Sequence, residues 1–180
     1  MFFIKFQKNS EDKLGVKKFK KDYENFSGKK YNFILCVLRT IKNYELRFLF
    51  FLRFSQKYNS LILNIIINHY MNRYGIEIFS KNIGYGLRLI HPWGITVNAN
   101  AKLGNNVTLF KGVTIGVIEV GSKKGNPTIQ DDVTVYANAT ICGNVTIGHG
   151  STIASGSFVN FNVPPNSIVI GNPGIIHEKK

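Results

Sequence analysis

At 180 residues the chain has room for one compact domain with a small appendage, and too little for two ordinary enzyme domains. Its 23 Lys and Arg outnumber ten Asp and Glu, a formal net charge of +13, and the first 60 residues hold 14 of those bases and five of the acids. Such a balance suits nucleic acid, an anionic membrane surface or a polyanionic substrate. No helix-turn-helix, zinc-finger or RNP-like pattern is present, however, and the lysines are scattered among apolar residues, which argues against nucleic acid.

In chain order, the opening MFFIKFQKNSEDKLG has too short an apolar run for a signal peptide and no small-residue cleavage site. Neither Cys36 nor Cys142 belongs to a C-x-x-C pair, so no disulfide framework is expected. Both features suggest the cytoplasm, with contact at the inner face of the plasma membrane as a further expectation. The polar, lysine-rich residues before about Lys30 suggest a loosely held helical arm. Between Tyr31 and Tyr74 the sequence is apolar and aromatic, but Arg39, Lys42, Glu45, Arg47 and Arg53 interrupt any run long enough to span a membrane. Helices packed on another element, or lying on a membrane surface, explain this stretch, and residues 1–75 are assigned to an N-terminal helical region.

From Ile83 the period changes to six: IGYGLR, LIHPWGIT, VNANAK, LGNNVT, LFKGVT, and, after an interruption, IQDDVT, VYANAT, ICGNVT, IGHGST, IASGSF, VNFNVP. An aliphatic residue opens each unit, and Asn, Gly or Asp crowd the third and fourth positions, where tight turns need them. One such unit makes a short strand and a turn, so three close a triangular coil with the aliphatic side chains stacked inside. The predicted fold is mainly β, a left-handed parallel β-helix of about four coils over residues 76–180, an exception to the usual right-handed crossover. The helical front and the tail from Pro164 are expected to cover its open ends. Two units break register. LIHPWGIT has two residues too many around His91, and Val117 to Thr128 adds eight, which must leave the coil as a projecting loop.

The stretches Gly86–Asn98 (GLRLIHPWGITVN), Gly112–Gly116 (GVTIG), Gly125–Ile129 (GNPTI) and Val163–Pro173 (VPPNSIVIGNP) resemble the acetyltransferases related to serine acetyltransferase, in particular the branch that O-acetylates capsular and exopolysaccharide sugars. The resemblance covers somewhat over half the chain. It implies acetyl-coenzyme A as co-substrate, a homotrimer with active sites at subunit interfaces, and no metal. Its front-half component is far less specific.

Acetyl transfer to a hydroxyl needs a base, and imidazole suits neutral pH. His91 lies in the first register break and matches the family's catalytic histidine. His149 falls at a turn position, and His69 and His177 have no supporting context. No two histidines have metal-ligand spacing, against a carbonic anhydrase of this fold. Glu77 matches, across a one-residue gap, the acid that orients the histidine; Asn98 or a backbone carbonyl could do so instead. Gly116 and Ala137 match positions along the pantetheine arm, while Lys123 and Lys124 on the loop, with Lys179 and Lys180, are candidates for the phosphates.

The chain also departs from the serine-specific enzymes: Gly125 and Asn126 replace the Arg-His pair that grips the amino acid, and Ile90 replaces the acid before the catalytic histidine. Trp93, beside His91, could stack on a sugar ring, and Asn126 and Asn98 are further candidates for the acceptor. The expected activity is therefore an acetyl-CoA-dependent O-acetyltransferase acting on a sugar hydroxyl of a bacterial capsular or surface polysaccharide or its precursor. Serine O-acetyltransferase is the alternative, and a non-catalytic trimeric β-helix scaffold the alternative of another class.

Overall fold

The computed structural model describes residues 12–58 and 60–178. Four helices come first: α1 (Asp12–Ser27), α2 (Phe33–Lys42), α3 (Tyr44–Lys57) and α4 (Leu61–Tyr74). The side chain of Asn32 accepts from the Leu35 N–H to cap α2, and Gly75 ends α4 at φ 60, its N–H donating to the Met71 carbonyl. The left-handed conformation at Gly75 turns the chain from the helices into the first strand.

Beyond it runs a left-handed parallel β-helix of three faces. The first face stacks β1 (Glu77–Ile78), β3 (Thr96–Val97), β6 (Thr114–Gly116), β9 (Thr140–Cys142) and β12 (Phe158–Val159). The second holds β4 (Lys102–Leu103), β7 (Thr128–Ile129) and β10 (Thr146–Ile147), extended by single bridges at Ile83 and Val163. The third holds β2 (Arg88–Ile90), β5 (Thr108–Phe110), β8 (Thr134–Val135), β11 (Thr152–Ile153) and β13 (Ser167–Ile170). Antiparallel β14 (Ile175–Glu178) folds back on β13 and pairs the last edge. The first face thus has five parallel strands rather than the four expected, because the chain already makes a rung at Glu77, ahead of the first complete hexad.

Register explains the hexad. Val97, Ile115, Ile141 and Val159 align up the inside of the first face and are fully buried. Thr96, Thr114 and Thr140 align outside. Each buried aliphatic contributes about 1.5–3 kcal/mol, but only when a neighbouring rung covers it. At the corner between the second and third faces the polar residues hold one another. Asn105 accepts from the Tyr85 N–H at 2.9 Å, its own backbone N–H donates to Asp131 at 2.7 Å, and Asn106 donates to Asp132 at 2.9 Å. Gly104 is required there, since a Cβ would collide with Asp131 and lie 2.7 Å from its backbone nitrogen.

The front half is not a loosely held arm from Gly15 onward. Phe19, Asp22 and Tyr23 of α1 are buried. Arg53 of α3 donates from Nε to Asp22 at 2.7 Å and from Nη2 at 3.0 Å, and reaches the carbonyls of Ile83 at 3.2 Å and Gly84 at 2.7 Å on the first rung. Asn25 adds a bond to the Gly86 carbonyl at 2.8 Å, and Gln56 one to the Ser80 carbonyl at 2.8 Å. Burial pushes the Asp22 carboxyl above the usual carboxylate range, opposed by the Arg53 guanidinium. The helices therefore cap the open N-terminal end of the stack. Among the described residues, no helix is long and apolar enough to cross a membrane.

Candidate active site on two edges of one face

His91 follows β2 at the corner between the third and first faces. The two extra residues of its unit are taken up in a bulge in which the His91 carbonyl accepts from the Trp93 N–H at 2.7 Å. His91 has φ 48. The other four non-glycine residues at positive φ among those described are Asn106, Asp132, Asn138 and Asn166, types that tolerate this region well. Histidine is likewise enriched in this region, and His91 is the one imidazole among the five. The side chain is exposed, and among the described residues its imidazole has no hydrogen bond or ion pair.

The same corner repeats up the stack. The Gly112 N–H donates to the Trp93 carbonyl at 2.8 Å, Asn138 to Lys111 at 3.0 Å, and Gly156 to Ala137 at 2.9 Å. This edge therefore lines up His91, Trp93, exposed Lys111 and Ala137. Phe110, paired with Ile90, and Tyr136 stack beside it, with ring centroids 4.7 Å apart. Trp93 is 52% exposed and packs edge-on to Tyr74 of α4 at 5.1 Å, so one side of the indole is used by its own chain. Glu77 also reaches this edge, exposed and with its N–H bonded to the Ile95 carbonyl at 2.7 Å. It makes no ion pair with His91 within one chain.

The remaining candidates occupy the opposite edge of the first face. Asn98 turns its side chain back on the Asn100 N–H at 2.9 Å, which shapes the corner. Gly116 ends β6 opposite Cys142. A Cβ on Gly116 would meet only Thr114 at 3.7 Å and Cys142 at 3.9 Å, ordinary contacts, so the fold itself does not demand glycine. The inserted residues leave the coil as expected: Ile118 and Gly125 bond to each other in both directions, at 3.1 and 2.9 Å, and close a hairpin. Lys123 and Lys124 are exposed on it, and the Lys123 carbonyl takes the Asn144 N–H at 3.0 Å. At its root, Asn126 Oδ1 is buried with no donor among the described residues. Lys179 and Lys180 lie outside the described residues. Among those described, no three His, Cys, Asp or Glu side chains converge as a metal-binding group.

The structure thus sorts the candidates into two sets. About five residues of strand separate the edges, roughly 15 Å, so the His91 edge and the hairpin edge of one chain do not form one cleft. Sequence reasoning missed Lys111, whose signal is its place in LFKGVT, the unit one rung above the break at His91.

Residues 126–160 match the family model described as bacterial transferase hexapeptide (six repeats). The serine acetyltransferase of Bacillus subtilis is 41% identical over 101 residues, covering 56% of this chain and 46% of that one, and that of Bacillus licheniformis is 40% identical, covering 56% and 47%. The chain spans about half the length of these relatives. Among solved structures, Neisseria gonorrhoeae serine acetyltransferase in complex with serine superposes with a TM-score of 0.71 at 29% identity, covering 92% of this chain and 68% of that one. Soybean serine acetyltransferase complexed with serine gives 0.69 at 25% identity, covering 93% and 70%.

These similarities overturn the expected sugar acceptor from capsular or surface polysaccharide, since the relatives and neighbours named are serine acetyltransferases. The expectation rested on the resemblance to the polysaccharide branch, on Ile90 in place of the acid before the histidine, and on Gly125 and Asn126 in place of the Arg-His pair. That pair is one way of holding a small zwitterion, and a cation or a free acceptor elsewhere on the edges can do the same work. Residues 126–160 carry the bacterial-transferase hexapeptide repeat on a left-handed parallel β-helix, and the relatives and solved structures named above are serine acetyltransferases.

Proposed function

We propose that this protein is an acetyl-CoA-dependent serine O-acetyltransferase, a step toward cysteine, with His91 as its general base. The observation that carries the reading is His91 itself: an exposed, unbonded imidazole at positive φ in the one corner where the hexad gains two residues. The imidazole removes the proton of the serine hydroxyl as its oxygen attacks the thioester carbon, then returns it to the departing sulfur as the carbon–sulfur bond breaks. Glu77, on the same edge, orients the ring once the site is assembled.

The acyl donor runs between the His91 edge of one copy and the hairpin edge of another in a homotrimer. Gly116 leaves space for the pantetheine arm, Ala137 lines it with backbone, and Lys123 and Lys124 meet phosphates. Asn126 Oδ1, without a donor among the described residues, accepts from the serine ammonium, and Lys111 pairs with the carboxylate. Neither role needs the Arg-His pair.

Release of free thiol from acetyl-CoA, with and without L-serine, tests the reading. Turnover should depend on serine and fall at least about a hundredfold in His91→Ala, the scale of losing a general base. No serine-dependent release refutes the acceptor. Equal serine-dependent rates in the wild type and the variant refute His91 as the base, and no release from either favours a scaffold.

A further inference from the structure

We infer that α1 and α2 form a docking surface for an anionic lipid bilayer. The ten-residue α2 exposes Phe33, Ile34, Val37, Leu38 and Ile41, each between 42% and 70% accessible, while Cys36 faces inward toward α3. Those five positions share one face of a helix, and an apolar face this bare on a folded chain calls for a partner. At about 15 Å the helix is too short to cross the hydrocarbon core, so it fits only in the plane of the interface.

Charge selects the partner. A concavity of about 800 Å³ adjoins the start of α2, and its walls carry Lys20, Lys21, Lys29, Lys30 and Arg88 against the single acid Glu24. Tyr31 lines both this basin and the apolar groove beside α2, so the two adjoin. Between Asn25 and Tyr44 the sequence has four basic residues and no acid. A second copy seated face to face would bring this basic surface against itself, and like charges would oppose it. A bilayer bearing anionic headgroups supplies the opposite charge at the basin and an apolar layer for the helix. This surface is separate from the edges that carry the proposed chemistry, and its test does not require activity.

Full-length protein is sedimented with vesicles of phosphatidylcholine alone and of phosphatidylcholine with about one third phosphatidylglycerol. Binding is expected only to the anionic vesicles, and should weaken as salt rises to about 0.5 M, where screening shortens the reach of the lysines. Lys29→Gln with Lys30→Gln should weaken it at least about tenfold, and so should Ile34→Asn with Leu38→Asn, with circular dichroism unchanged in both variants. Failure of the wild type to sediment, equal binding to neutral vesicles, or indifference to both variant pairs would overturn the proposal. So would a wild-type assembly that the Ile34/Leu38 variant splits into smaller species with no change in vesicle binding, since the face would then belong to a second copy.

Discussion

Replacing Arg53 by Met keeps the aliphatic stem of the side chain and removes the guanidinium, which is 1% exposed and bonded at four points: twice to Asp22, once to Ile83 and once to Gly84. Asp22, wholly buried, is left as an unpaired charge, and two carbonyls of the first rung lose a donor. Breaking such a pair from one side costs about 3–5 kcal/mol, a large share of the roughly 5–15 kcal/mol by which domains are stable. Adding Asp22→Leu removes the stranded carboxylate, so the double variant should recover at least about 2 kcal/mol over Arg53→Met alone.

The deficit should also depend on pH. With Arg53 gone, only backbone hydrogen bonds from Leu87 and Gly86 still oppose the burial that raises the Asp22 carboxyl. The neutral form is tolerated in the fold, so stability is retained below the unfolded value near about 4 and lost as pH rises toward the raised folded value. The assay is urea unfolding followed by the fluorescence of Trp93, the only tryptophan, which packs on Tyr74 where helices and β-helix meet. A loss under about 1 kcal/mol, or a double variant no more stable than the single, would refute the clamp.

Gly116→Ala should leave the melting temperature unchanged, because the added methyl meets only ordinary contacts, yet raise the KM for acetyl-CoA about tenfold while sparing that for serine. Steady-state kinetics beside a thermal melt separates the two. Gly104→Ala should instead cost about 1–3 kcal/mol in chemical denaturation, since its Cβ has no space against Asp131. The backbone N–H and side-chain amide of Asn105 hold the Asp131 carboxyl below the usual carboxylate range. Its stabilising contribution is therefore complete above about pH 4 and disappears as pH falls through the depressed folded value. Asp131→Asn should be less stable than wild type at pH 7 and converge with it in acid, as followed by melts across pH.

The β-helix was legible because its physics is local and repeated: every sixth residue must be aliphatic, and every corner needs Gly, Asn or Asp. The bulge at His91 and the hairpin at Ile118–Gly125 were legible as failures of that count. In the front half the helices and their place over the open end were legible, but the docking of α1 was not. The bond that docks α1 joins Asp22 to Arg53, 31 residues apart, and nothing periodic marks either partner. A lysine-rich helix with one buried carboxylate reads as a solvated arm until its partner is placed. The division of the candidate site residues between two edges was not legible, because which corner a residue occupies depends on how many residues each preceding break inserts. The sugar acceptor was inferred from a resemblance and from the residues at Gly125, Asn126 and Ile90, and the loss of one set of gripping side chains does not by itself exclude the ligand that they hold.

The separation of the imidazole from the hairpin across the first face bears on how the protein would behave in a cuvette. If turnover needs half of its machinery from a neighbour, specific activity should not stay constant on dilution. It should fall away at enzyme concentrations where the subunits part, while each stack of rungs stays folded, and return when the sample is concentrated again.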